Sequence, residues 1–348
     1  LIVTAKGNPI WLVLLIASAA MVAATQVCDA QQRKPLRWTA TPVGSLGYRL
    51  AVTLSGVAEQ ALGGQYAATV TPYTSPQVAM KAAMAGEGDI AFTADVAMTE
   101  LRDRVGGFQG YRPETSELVH TWYAYSMQSM IAVAARNADQ FRCWRDFSGK
   151  PVFFTPAGFM NWLNVQRAFR ALGYAFNHVP VSLRSNAEAL DAGTIAGSVL
   201  YTAEGRELAP YWKETELRID VRVVNPCPDE VATLKAAGLV VSDVDSKAAF
   251  AGNVGPRMLK GVSMLFGYNA RLDLPEDVVY RLISAFYRRS DELANKQAVL
   301  AALKNDFISL QVRGIAANPA MPVHPGLAKF LKEHNAWDDK WVVGVYKG

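Results

Sequence analysis

The chain has 348 residues, of which 51% are hydrophobic and 19% charged, enough apolar material for two packed cores and too much for a largely disordered protein. Thirty-five basic residues against 31 acidic ones give a formal net charge of +4. No Lys/Arg cluster falls on a patterned helix, so nucleic acid is not an expected partner.

The first thirty residues carry one positive charge, Lys6, followed by Pro9 and a short apolar run from Ile10 through Ala17 to small residues at Ala24. This is the charge arrangement of a secretory signal, and the run is shorter than the roughly 20 residues that span a bilayer. Residues 1–30 are therefore read as a signal peptide and the protein as periplasmic or otherwise extracytoplasmic. Once Cys28 is removed with it, Cys143 and Cys227 remain. Two cysteines in an oxidising compartment are compatible with one disulfide, or with two separate buried thiols.

Leu36–Thr41 alternates as a strand. A glycine turn at Gly44–Gly47 follows, then an amphipathic helix from Tyr48 that stops at Gly63-Gly64. Ala67–Tyr73 reads as strand, Pro76–Ala85 as helix, Asp89–Thr93 as strand, and a helix begins near Asp95. These repeats predict parallel βα units. Leu118–Ala135 reads as two strand segments across an aromatic turn. Pro151–Thr155 is a strand, and Met160–Leu172 a helix stopped by Gly173. Ser185–Ala192 is helical, Gly197–Tyr201 extended, Glu204–Trp212 helical, and Leu217–Val224 strictly alternating. Pro275-Glu276-Asp277 opens a strong helix, because proline and acids suit a helix start, and Leu327–Lys332 is a short one.

No HExxH, CxxC, G-x-S-x-G or P-loop pattern occurs, and His120, His178, His324 and His334 are scattered. Neither catalytic residues, a metal site nor a cofactor is expected. The turns between strand and helix are better candidates. Ser45, Gly47 and Tyr48 stand where a hydroxyl and helix-start amides meet an anion. Gly158, Phe159, Asn161 and Trp162 form an equivalent loop that combines polar groups with an apolar cover. Thr93, Tyr125 and Tyr201 occupy strand ends.

Several stretches resemble the TAXI solute receptors associated with TRAP transporters. They are Ala40–Tyr48, Ala85–Phe92 with Thr93-Ala94-Asp95, Phe147–Val152, Leu272–Tyr280 and Pro322–Phe330. The resemblance implies an α/β, two-lobed type II periplasmic-binding-protein fold, with mixed, mostly parallel sheets and an interlobe cleft. Residues 31–128 would open lobe I, 129–262 would form lobe II, and 263–348 would return to lobe I and end in helices. It further implies a monomeric receptor, not an enzyme, that closes on a small organic carboxylate or amino-acid-like ligand and delivers it to TRAP permease subunits. Phe159 and Trp162 stand where that family commonly has a small polar loop, so a carboxylate with an aromatic or aliphatic portion is expected. Two alternatives remain open: a two-domain extracytoplasmic enzyme acting on small acids or esters, and a sensory receptor without a transport role.

Overall fold

In the computed structural model, which describes residues 33–346, strand and helix alternate from the start. The predicted signal peptide over residues 1–30, with Cys28, lies outside the described residues. Strand β1 (Lys34–Ala40) leads to helix α1 (Leu46–Ala61), β2 (Tyr66–Pro72) to α2 (Pro76–Met84), and β3 (Ile90–Ala94) to α3 (Asp95–Asp103). The glycines and acid of Gly86-Glu87-Gly88-Asp89 explain the tight entry to β3. A Cβ on Gly88 would stand 2.5 Å from the Thr39 methyl. Asp89 accepts from the Arg37 backbone N–H at 2.8 Å and from its guanidinium at 2.7 Å.

The middle of the chain holds β4 (Tyr123–Ala134), β5 (Val152–Phe153), α4 (Met160–Leu172), α5 (Asn186–Asp191), β6 (Gly197–Ala203), β7 (Glu207–Leu208), α6 (Pro210–Arg218) and β8 (Val221–Val224). Next come α7 (Pro228–Ala236), β9 (Val240–Asp245), α8 (Ser246–Ala249) and β10 (Met258–Ala270). Four helices close the chain: α9 (Glu276–Arg288), α10 (Ser290–Lys296), α11 (Ala301–Ala316) and α12 (Pro325–Glu333).

The ten strands of the described residues form one mixed sheet in the order β2-β1-β3-β10-β4-β6-β5, with β7 on β6, β8 on β4 and β9 on β10. β1 with β3 and β5 with β6 are parallel. The two long strands β4 and β10 pair antiparallel with each other and with their other neighbours. The expectation of mostly parallel sheets is thus corrected: the centre of the sheet is antiparallel.

Three local expectations also change. Residues 123–134 form one strand rather than two segments across an aromatic turn, and the polar groups within it are satisfied. Gln128 accepts from the Thr202 hydroxyl at 3.0 Å and from Gly205 N–H at 2.7 Å, and Ser129 donates to Asn161 at 3.0 Å. The helix expected from Glu204 starts instead at Pro210, after the short strand β7. That helix runs on to Arg218, which leaves only Val221–Val224 of the alternating segment as strand.

The core is grouped in three clusters, around Trp38, Trp122 and Tyr268, around Trp212 and Phe250, and around Trp144, Phe154 and Phe169. Strand β4 supplies all three, through Met127, Met130 and Ile131, and β10 does likewise through Met264, Leu259 and Val262. Cys143 and Cys227 are joined in a disulfide, with Cα atoms 5.2 Å apart.

Candidate ligand-binding site

Ser45 caps α1. Its Oγ accepts from Tyr48 N–H at 3.2 Å and is shared with the Thr41 hydroxyl at 2.7 Å. Gly47 in the same turn has no room for a side chain, since a Cβ would stand 2.6 Å from Thr41 Oγ1 and 3.0 Å from the Phe92 ring. Its carbonyl accepts from the Tyr268 hydroxyl at 2.5 Å, which fixes the helix start to β10. Helix α4 starts from a turn in which Gly158 has φ +85° and Phe159 N–H donates to Pro156 O at 3.1 Å.

These two helix starts open on a cavity of about 500 Å³, within the range of about 300–1,000 Å³ usual for small-molecule sites. Ser45, Leu46 and Gly47 line it from α1, and Phe159, Met160 and Asn161 from α4. Pro76 at the start of α2 and Pro210 at the start of α6 also reach it. The remaining wall is largely aromatic and apolar: Phe92, Tyr125, Met127, Tyr201, Tyr211 and Phe266. Tyr125 stacks on Phe266 with centroids 5.3 Å apart and planes at 8°. Alternation along β4 places Tyr125 and Met127 on one face, together with Ser129, which bonds Asn161.

The charged side chains of the lining balance, Arg49 and Arg184 against Glu207 and Glu214, and the helix starts add partial positive charge. The start of a helix carries about half a positive charge and amide N–H groups without an intrahelical acceptor. None of the four helices that open here has an acid in its first turn, whereas α7, α9 and α10 all do. Arg49 stands near the start of α1, the end where a cation opposes the helix dipole, and lies 3.7 Å from Glu207. Arg184 and Glu214 also line the cavity, both exposed and without an ion-pair partner among the described residues. Burial pushes the Tyr201 phenol up to about 12, with Glu207 acting in the same direction, so the hydroxyl stays protonated. Asn161 accepts from Ser129, which leaves its amide nitrogen without an acceptor among the described residues.

Of the residues singled out from sequence, Ser45, Gly47, Tyr125, Phe159, Asn161 and Tyr201 line this cavity. Tyr48, Thr93, Gly158 and Trp162 do not. Tyr48 packs on the core beneath α1, and Thr93 is fully buried, with its hydroxyl accepting from Asn269 at 2.5 Å. Gly158 shapes the turn, and Trp162 packs on Phe176 with ring centroids 5.8 Å apart. Arg49, Arg184, Glu207, Tyr211 and Glu214 were not anticipated. A signal existed for Arg49 alone, as a cation in the first turns of a helix.

An α/β fold with one mixed sheet, and a cavity rimmed by helix starts at its centre, resembles the architecture of type II periplasmic binding proteins. The chain belongs to the NMT1-like family, whose model matches residues 38–334. No curated protein matches the sequence. Among solved structures, XAC2383 from Xanthomonas citri bound to ATP is similar over 82% of this chain and 98% of its own, at 9% identity and a TM-score of 0.50. The periplasmic binding protein BugD aligns over 87% and 98% of the two chains, at 12% identity and a TM-score of 0.49. MatC from Rhodopseudomonas palustris with bound malate aligns over 82% and 98%, at 13% identity and a TM-score of 0.47.

Proposed function

We propose that this chain is an extracytoplasmic solute-binding receptor, not an enzyme, whose cavity takes a small carboxylate with an apolar body and hands it to a membrane permease. One observation carries the reading: four helix starts, all free of first-turn acids, open on a single cavity walled by aromatic rings. A carboxylate is held by such amides and dipoles, and the rings shield the rest of the molecule from water. Arg184 supplies the counter-charge, since Arg49 already has Glu207 beside it. The Cys143–Cys227 disulfide is in keeping with an oxidising compartment.

In this reading residues 31–128 and 263–348 act as one lobe and 129–262 as the other. Ligand stabilises the closed form to the extent that it touches both sides. The lining draws on Ser45 and Phe92 from the first group and on Phe159, Asn161 and Tyr201 from the second. Delivery to a TRAP-type permease rests on the sequence resemblance to TAXI receptors. Uptake by proteoliposomes holding such a permease would rise when loaded receptor is added, and no rise would remove that partner.

The binding reading is tested by calorimetry with monocarboxylates of increasing apolar size, each against its amide. Micromolar binding of the acid, at least about tenfold weaker binding of the amide, and a similar loss in Arg184→Ala are expected. Acid and amide binding alike, or no binding of either, would end it.

A further inference from the structure

Tyr125 is fully buried in the wall of the cavity, and its phenol oxygen has no hydrogen-bond partner among the described residues. A buried hydroxyl left unpaired costs about 1–3 kcal/mol, and a phenylalanine would keep the ring at no such cost. The ring needs no hydroxyl for its packing, because the stack on Phe266 is made by its face. The polar atom is therefore not explained by the fold. Its electrostatic neighbourhood belongs in part to the cavity, since Tyr201 and Glu207, both of the lining, are among the groups that act on the phenol. Burial holds the phenol far above its ordinary range, so it remains a neutral donor.

We infer that the ligand carries, besides its carboxylate, one hydrogen-bond-accepting oxygen on its apolar body, and that Tyr125 reads it. The inference rests on the carboxylate reading above and narrows it to hydroxy or oxo acids. The carboxylate lies at the helix starts, and the second oxygen meets Tyr125 on β4. Asn161 lines the same cavity from α4, and its amide nitrogen, also without an acceptor among the described residues, can donate to either oxygen. A site built around a buried donor rejects an analogue lacking the matching acceptor more strongly than an apolar wall rejects a missing methylene.

Matched acids separate the terms. Calorimetry compares phenylpropanoate with phenyllactate, phenylpyruvate and hydroxyphenylpropanoate, and isocaproate with ketoisocaproate, on the wild-type protein and on Tyr125→Phe. At least one oxygenated acid is expected to bind about tenfold to a hundredfold more tightly than its parent. In Tyr125→Phe that preference disappears, so that parent and oxygenated acid bind alike, and the melting temperature is unchanged or higher. A merely structural tyrosine would change the affinity of parent and oxygenated acid together. If wild type shows no preference, or if the preference survives in Tyr125→Phe while the acids still bind, this inference falls and the carboxylate reading stands. If none of these acids binds, the carboxylate reading falls and takes this one with it.

Discussion

Glu230 shows how one side chain fixes the short 3-10 helix Trp144–Phe147 to the start of α7. It is almost fully buried, and its carboxylate accepts four hydrogen bonds: from Trp144 N–H at 3.1 Å, Arg145 N–H at 2.7 Å, Cys227 N–H at 2.6 Å and the Tyr174 hydroxyl at 2.6 Å. Charged acceptors make the stronger hydrogen bonds, and removal of this one leaves backbone donors unpaired in the interior. Glu230→Ala is therefore expected to lower the unfolding free energy by about 3 kcal/mol or more, read from urea denaturation. Glu230→Gln, which keeps two acceptor sites, loses less. A loss under about 1 kcal/mol in the alanine variant would show that water replaces the carboxylate without cost. Gly47 makes a second residue-scale case. A methyl group there meets Thr41 and the Phe92 ring, so Gly47→Ala is expected to displace the start of α1. The cost is about 1–3 kcal/mol, accompanied by weaker ligand binding. Retained stability and affinity would mean that the turn relaxes freely.

Among the elements, those with their own periodicity and punctuation were legible in the sequence, and those defined by distant partners were not. Helix α4 begins at Met160 and ends against Gly173 at φ +72°, as its hydrophobic spacing and stop glycine imply. Strand β7 is two residues long and exists through its ladder with Thr202 and Ala203, which no local pattern announces. The error over Glu204–Trp212 follows from this, and it hid Glu207, Pro210 and Tyr211 as cavity residues. Arg184 was missed for a related reason: it sits in an irregular loop before α5, where spacing carries no directional information. The disulfide is a pairing of the same long-range kind, and it doubles the tie that Glu230 makes between the Trp144 segment and α7. It closes a separation of 84 residues, so loop-closure entropy puts its contribution at about 4.6 kcal/mol. Because Glu230 holds the same two segments, the reduced protein is expected to stay folded at 25 °C with a lower urea midpoint. Circular dichroism with and without reductant checks this, and unfolding on reduction alone would show that Glu230 cannot hold the junction.

At the scale of the whole molecule, the chain is closed by two buried histidines that bring its last segment back to the start of β4. His120 N–H donates to Pro322 O at 3.0 Å, and His324 N–H donates to His120 O at 2.8 Å. Their rings are also engaged. His120 donates from Nε2 to Asn318 O at 2.9 Å and accepts at Nδ1 from the Tyr123 hydroxyl at 2.8 Å. His324 donates to Leu274 O at 2.9 Å and accepts from Gly326 N–H at 3.1 Å. Both rings are thus held neutral, and burial lowers each to about 4. An unfolded histidine titrates near 6.5, so between about pH 6.5 and 4 the unfolded chain takes up protons that the folded one refuses. The stability from this source is full above about pH 6.5 and drains away as pH falls towards 4, by roughly 3 kcal/mol for each histidine. Asp95, Glu100 and Glu204 act in the opposite sense, since burial raises them and folding then binds protons. Their contribution cancels when wild type is compared with His120→Gln. The variant is expected to be the less stable at pH 7, and the gap between the two should narrow by up to roughly 3 kcal/mol as urea denaturation is repeated down to pH 4. A gap that stays constant across that range would mean that His120 takes up its proton at the same pH in the folded and the unfolded protein, and that the return of the chain end does not depend on a neutral ring.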